Sequence, residues 1–412
     1  MIQTTTTSQP QAVGHIHIDR IKVSGPLEHK PLGEPFYKGH PDYGYYSVAS
    51  EAVGKAGKRK NDPNEFYVRS KAISDDGRAN EVEFDCCPPK QLQGHNLFGH
   101  ADVLDYSNAC FERLTALNHL DVGESQCKEW QTGQVKLHWL HLTGNFLCLP
   151  HAKSAIINAI DQNNAKGKHR DWETCLTLGY TPTGRSQYQT ATIYDKFGLL
   201  SLEWDKPDPL QQEILRLADG SLRIEIKLYS QWLRTYGIDE SGKIANIAAE
   251  LKKDPDAKFR VKSLAYVMNW TAVDVDALFF ELLGGYNIRN SIQRLLTEDE
   301  ERMLTKAERR GYLLWLNGEN LHDHYSRTTV WNYIDSVKAK TGIDMKGSLR
   351  PDRLPVIDFA EMLTPANLVP IPDWAHGTSY YCPPATAREP VRLSPGRQPS
   401  NEAFALLHPC WA

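Results

Sequence analysis

The chain has 412 residues, with 47 Lys or Arg against 51 Asp or Glu, and a formal charge of −4. That length admits two or three domains with a substantial core, and that charge excludes a uniformly basic nucleic-acid binder, so any DNA contact must come from local cationic patches. Eight cysteines without a CxxC pair argue against a zinc site or disulfide scaffold and fit a reducing cytosol, and no apolar run reaches the ~18 residues of a membrane span.

Residues 1–13 read as a flexible polar leader without the basic and apolar blocks of a signal peptide. His15–Val23 alternates as a first strand does. Gly54–Asn64, GKAGKRKNDPN, is a basic loop whose Lys58 and Arg59 either meet phosphates or are simply solvated. Glu81–Cys86 reads as a strand ended by Pro88 and Pro89. After it, LQGHNLFG sets His95 and Asn96 between two glycines, with Gln93 just before. Such a loop offers base-edge or phosphate hydrogen bonds; equally, its Asn and His can cap the helix that follows, Val103–Leu120.

Val135–Leu149 is the next strand, followed by a helix over His151–Asn163 and a second basic loop, Lys166–Arg170. On a regular strand His138 and His141 face opposite ways, and only a bulge would bring both to one ion. Trp172–Gly179 and Gln187–Leu202 read as strands joined through the turn TPTGR. Within the second, Tyr194, Asp195 and Lys196 set a phenol beside a carboxylate and an ammonium group. A phenol of pKa ~10 is a poor nucleophile until a cation stabilises its phenolate, and a strand tyrosine without that task is a packing residue. Leu210–Leu217 is helical, and Leu222–Leu228 alternates so that Arg223, Glu225 and Lys227 share one face.

After Gly237 the apolar spacing turns helical, through Ile244–Trp270 and Ala272–Leu316, including one charged helix that opens at Thr297 with acids ahead of bases. Pro370–Ala412, rich in Pro, Ser and Arg, reads as a disordered tail. A strand-rich part followed by helices is an α+β arrangement. The expected units are an antiparallel-sheet domain over 14–240, a helical accessory domain over 241–370 and a tail over 371–412.

Five blocks in one order carry a resemblance. They are PKQLQGHNLFG at Pro89–Gly99, Trp172-Glu173, Ile193–Lys196, the Leu222–Glu225 strand with its following WLRTYGI, and SRTTVWNY at Ser326–Tyr333. The chain resembles the gene II/X family of filamentous phage (inovirus) replication initiators, rolling-circle nicking and joining enzymes, from about Ile18 to Ile343. The resemblance implies a rolling-circle nuclease domain followed by a gene X-like helical domain. It also implies an enzyme that nicks one strand of double-stranded replicative-form DNA at the origin through a 5′-phosphotyrosine and rejoins the displaced strand. The alternative is a non-enzymatic origin-binding or replication-control protein.

By that resemblance Tyr194 is the nucleophile, with Tyr188 and Tyr229 as competitors, and Lys196 and Arg223 stabilise developing charge. Mg²⁺ or Mn²⁺ is expected on His141, Glu225 and Glu83, and DNA on Gln93, His95, Asn96, Lys58 and Arg59. Related proteins tend to carry Arg-hydrophobic-Asp where this chain has Trp139-Leu140-His141, so His141 stands in a carboxylate's place. His15-Ile16-His17 spells the metal-binding triplet of one large class of rolling-circle nucleases. That class carries the triplet on an interior strand, and here it is read as a coincidence of strand alternation. The implied partners are supercoiled and single-stranded origin DNA, host helicase and polymerase, and further copies of the chain, in the host bacterial cytoplasm without a membrane.

Overall fold

The computed structural model describes residues 14–32, 34–37, 46–50, 66–164, 167–172, 174–181, 184–286, 288, 298–316, 319–341, 345 and 359–387. The leader 1–13, Lys58, Arg59 and Glu173 lie outside the described residues.

A ten-stranded antiparallel sheet organises the fold. In chain order its strands are β1 (His17–His29), β2 (Glu34–Tyr37), β3 (Tyr46–Ser50), β4 (Tyr67–Ile73), β5 (Ala79–Cys86), β6 (Lys136–Leu147), β7 (Lys168–Trp172) and β8 (Cys175–Leu178). After a small separate hairpin, β9 (Tyr180–Thr181) and β10 (Gly184–Arg185), come β11 (Gln189–Tyr194) and β12 (Ser221–Tyr229). The order across the sheet is β2-β3-β4-β5-β1-β6-β12-β11-β8-β7, so β1, the carrier of the His15/His17 triplet's second histidine, is a central strand.

The helices are α1 (Pro88–Gln93), α2 (Val103–Leu117), α3 (Glu124–Gln131), α4 (Lys153–Asn163), α5 (Lys196–Glu203), α6 (Pro209–Asp219) and α7 (Ser230–Thr235). They continue with α8 (Ile247–Lys253), α9 (Ala257–Arg260), α10 (Val275–Gly284), α11 (Glu298–Met303), α12 (Lys306–Leu316) and α13 (Arg327–Thr341). The class is α+β, with a helical C-terminal region.

Strand alternation splits the sheet into two unlike faces. Ile18, Ile21, Leu140, Leu142, Ile193, Ile224 and Ile226 are fully buried on one face, in a core shared with α2, α4 and α10. Each such side chain contributes ~1.5–3 kcal/mol on burial, and a one-residue slip would expose the whole set, so the apolar face holds the register. The opposite face is polar. Its cross-strand rows run Tyr194–Arg223–Asn145, Thr192–Glu225–Thr143–His17, Thr190–Lys227–His141–Arg20, and Tyr229–Trp139–Lys22.

Four expectations are corrected. Pro88 and Pro89 do not end a strand before a loop; they occupy the first turn of α1, where a missing N–H costs nothing, and Gly94 closes that helix in the left-handed region at φ 80°. The strand expected to run to Leu202 stops at Tyr194, because Asp195 accepts a hydrogen bond from the Phe197 N–H and caps α5. The charged helix from Thr297 is broken between α11 and α12. Thr305 and Glu308 bond each other's backbone N–H groups there, a capping box that starts a new helix. Finally, residues 371–387 are not a loose tail. Ala375, Tyr381 and Cys382 are buried, the first two against Leu97 and Phe98.

The expected boundary at 240 does not mark a change of core. Leu278, Phe279 and Leu283 of α10 belong to the sheet's core, whereas Leu304, Tyr312, Trp315, Val330, Ile334 and Val337 form a separate cluster. Among the described residues no helix is long and apolar enough to cross a membrane.

Candidate active site

The polar face becomes chemical where β1 is irregular. Pairing with β6 steps from Ile18 opposite Leu142 to Arg20 opposite His141, which leaves Asp19 as an extra residue in a bulge. A bulge turns two successive side chains toward one side. Arg20 thereby bonds Asp85 at 2.6 Å while Asp19 reaches the middle of the sheet. There, oxygen or nitrogen atoms of Asp19, His141 and Glu225 lie within 4.8 Å of one another, all three residues buried.

Arg223, fully buried, ties the carboxylates together. Its Nη2 donates to Asp19 Oδ1 at 2.6 Å, its Nε to Glu225 Oε1 at 3.0 Å, and its Nη1 to the Asn96 carbonyl. The Tyr194 hydroxyl donates to the same Glu225 Oε1 at 2.5 Å, and the guanidinium lies 5.9 Å from the Tyr194 ring centroid. Tyr194 neighbours Arg223 in register, so β11 and β12 deliver phenol, cation and acid to one spot. Glu225 Oε2 points the other way, 3.9 Å from His141 Nδ1 and 3.9 Å from Lys227 Nζ.

These contacts set the protonation states. Burial works to raise Asp19, but Arg223 and Lys196 outweigh it and hold the carboxyl well below its usual range. Glu225 is likewise lowered, since Arg223 and Lys227 overcome burial and the nearby Asp19 charge. Burial and then Lys227 hold His141 down at about 3, so its imidazole is neutral with a free lone pair. Burial pushes the Tyr194 phenol well above 10, with Glu225 adding to it against Arg223, so the hydroxyl keeps its proton. Lys196, the first residue of α5, is lowered to about 8 by burial and by the cations Arg223 and Lys90.

The donor set fits a divalent cation. Two ionised carboxylates and a neutral imidazole converge, and Asp19 Oδ2 and Glu225 Oε2 remain beside Oδ1 and Oε1, which Arg223 occupies. Around them Thr143 Oγ1, Asn96 Oδ1 and Asn145 Oδ1 are buried without a partner, and buried polar atoms ordinarily have one. Thr143 stands directly opposite Glu225 in the sheet.

The structure brings together Tyr194, Arg223, His141 and Glu225, as expected, and adds Asp19. Sequence reasoning missed Asp19 as a member of the cluster, although an acid following His15 and His17 at strand spacing was a usable signal. Glu83 is not with them. It sits on β5 and receives Lys22 at 2.7 Å, Arg69 at 3.3 Å and Lys71; although burial would raise it, those partners hold it at about 2. His138 does lie at a bulge, where β1–β6 pairing skips from Trp139 to Leu137, yet it bonds Ser24 Oγ at 2.9 Å and approaches Glu83, not the cluster. The His15/His17 pair is also divided: exposed His15 meets Asp276 at 3.3 Å, while buried His17 lies 3.4 Å from the Asn96 carbonyl.

The LQGHNLFG loop does not present an open DNA-contacting edge. Gln93, His95 and Asn96 are buried with their hydrogen bonds spent inside the protein. Asn96 Nδ2 donates to Asp19 Oδ1 at 2.6 Å, Gln93 Nε2 to the Phe98 carbonyl at 2.7 Å, and His95 Nε2 lies 2.8 Å from the Tyr380 carbonyl. The loop therefore roofs the cluster and orients Asp19. Of the competing tyrosines, Tyr229 bonds Thr190 at 3.2 Å, four residues along β12 from Glu225, and Tyr188 is exposed.

Comparison with known proteins supplies the family. Residues 59–272, more than half of the chain, match the family model described as the N-terminal part of the phage replication-associated protein, the gene II protein. The chain is also 23% identical over 311 residues to the replication-associated gene II protein of Enterobacteria phage I2-2, an alignment covering 72% of this chain and 79% of that one. The chain belongs to the family of replication-associated gene II proteins, the filamentous-phage replication initiators.

Proposed function

We propose that this initiator nicks one strand of replicative-form DNA at the origin and later rejoins it, with Tyr194 as the nucleophile. The observation that carries the reading is the 2.5 Å hydrogen bond from the Tyr194 hydroxyl to Glu225, inside the Asp19–His141–Glu225 cluster. Glu225 takes the phenol proton as the Tyr194 oxygen bonds to phosphorus. The bond to the 3′ oxygen breaks, leaving a 3′-hydroxyl and a 5′-phosphotyrosine. Rejoining is the reverse: the 3′-hydroxyl attacks, the tyrosine leaves and recovers its proton. A tyrosine ester keeps the transfer potential that a water nucleophile would dissipate, so resealing needs no ATP.

A phenol pushed far above neutrality needs positive charge before it reacts. Arg223 supplies one cation directly, and Lys196, buried and with no hydrogen bond among the described residues, supplies a second that a phosphate oxygen would satisfy. Mg²⁺ or Mn²⁺ on Asp19, His141 and Glu225 would polarise the scissile phosphate. Supercoiled origin DNA as substrate, host helicase and polymerase as partners, and the bacterial cytoplasm as the place of action go with this reading. The helical part beyond the sheet core is then an accessory unit for origin binding or self-association.

The test is Tyr194→Phe, which deletes only the hydroxyl. Origin-plasmid binding survives while nicked circles and the covalent DNA–peptide adduct disappear. Normal nicking by this variant, or loss confined to Tyr188→Phe or Tyr229→Phe, refutes the assignment.

A further inference from the structure

The polar face does not stop at the catalytic cluster. One row beyond the His141–Lys227 pair, Tyr229 of β12 stands opposite Trp139 of β6, and Trp139 opposite Lys22 of β1. This row borders a groove of about 390 Å³ whose other walls are His138, Ser186, Gln187 and Ser230 to Arg234. Two features set the groove apart. Its charged residues are Lys22 and Arg234, with no carboxylate among the described residues lining it, in a chain whose formal charge is −4. The rings of Trp139 and Tyr229 stand 6.5 Å apart and inclined by 58°, so neither ring stacks on the other. Both are half-buried, anchored from behind and accessible from the groove.

From these observations we infer that the Trp139–Tyr229 groove is a single-stranded DNA subsite, in which the two rings stack unpaired bases and Lys22 and Arg234 hold the adjoining phosphates. Flat rings beside cations are what a strand without a complement requires, because every base offers a π-face and every link a negative charge. A cleft this small admits a base and its sugar, not a duplex with its bases turned inward. Along β12 the four residues from Glu225 to Tyr229 span ~13 Å, so the subsite lies a few nucleotides from the reacting phosphate on the same sheet face. The inference rests on the nicking-and-joining reading for its biological purpose, holding the cleaved strand in line for rejoining, but not for its test.

That test uses the full chain carrying Tyr194→Phe, in chelator, so that binding is measured without chemistry. A fluorescein-labelled oligothymidylate of about a dozen nucleotides, within the span of common single-strand sites, is titrated by anisotropy. Tyr229→Ala and Trp139→Leu each weaken binding about 5- to 150-fold, the worth of one stacked base. Tyr229→Phe, which keeps the ring and loses only the Thr190 contact, binds as the parent does. Arg234→Gln lowers the slope of log affinity against log salt by about 0.7. Undiminished binding by Tyr229→Ala and Trp139→Leu variants whose circular dichroism is unchanged overturns the proposal. So does an equal loss in Tyr229→Phe and Tyr229→Ala, or a duplex of the same length competing as well as the single strand. Nicking by Tyr194→Phe would remove the nucleophile assignment and leave this subsite standing, so the two failures are separable.

Discussion

Replacing Arg223 by Met keeps the volume of a fully buried side chain and removes its charge. Arg223 bonds Asp19 at 2.6 Å and Glu225 at 3.0 Å, and the two carboxylates belong to a cluster whose atoms lie within 4.8 Å of one another. Without the guanidinium both acids face each other in a buried site. Removing one partner of a buried ion pair costs about 3–5 kcal/mol, a large part of the ~5–15 kcal/mol that holds a domain folded. The sign of the pH dependence follows from the same contacts. In the native protein Asp19 and Glu225 are held below their usual values, so they contribute stability that is present above the unfolded pKa of ~4 and lost as pH falls through their native values. In Arg223→Met, burial and mutual repulsion dominate and raise at least one of them. A raised acid contributes stability below ~4 that is lost as pH rises through its native pKa, so the slope reverses. Urea unfolding followed by circular dichroism, at intervals from about pH 4 to 8 in chelator, measures both curves. The two should diverge with rising pH, the gap reaching about 3–5 kcal/mol near neutrality. Parallel curves, or a gap below ~1 kcal/mol, would refute the account of Arg223 as the counter-ion of this cluster.

Three further outcomes are expected. Mn²⁺ should raise the thermal midpoint of the native chain by mass action but leave Asp19→Asn and Glu225→Gln unmoved, with His141→Asp responding more than His141→Ala; a midpoint indifferent to Mn²⁺ excludes the metal cluster. Lys196, lowered to about 8, loses its charge as pH rises through that value, so nicking should decline there, whereas Lys196→Gln should be slow and lack that limb; coincident profiles would remove Lys196 from the chemistry. Truncation after Pro370 removes the Cys382 N–H that donates to Gln93 Oε1 at 3.0 Å and the Tyr380 carbonyl beside His95. Hydrogen exchange at 93–98 should then quicken and nicking fall, and unchanged exchange would show that the loop stands without this cover.

What local pattern determined about this protein is substantial. Alternation by two placed β6, β11 and β12, and it put Arg223, Glu225 and Lys227 on one face, as the sheet has them. The five ordered blocks identified the family and pointed to Tyr194, His141, Glu225 and Arg223, which the structure gathers in one cluster with Asp19. Tertiary structure alone decided the rest, because the deciding forces act between segments far apart in the chain. Asp19 joins the cluster through a bulge that exists only in the pairing of β1 with β6, and alternation within one strand cannot register it. Glu83 and Glu225 are both acids on strands; one is consumed by Lys22, Arg69 and Lys71 and the other is aimed at Tyr194, a difference set by cross-strand neighbours. His95 and Asn96 resemble exposed recognition residues by type, yet they are buried because residues nearly three hundred positions later cover them, with Tyr380 against His95. Hydrogen-bonding capacity is written in a residue's chemistry, but whether water, DNA or the protein's own backbone satisfies it depends on what the folded chain lays over it.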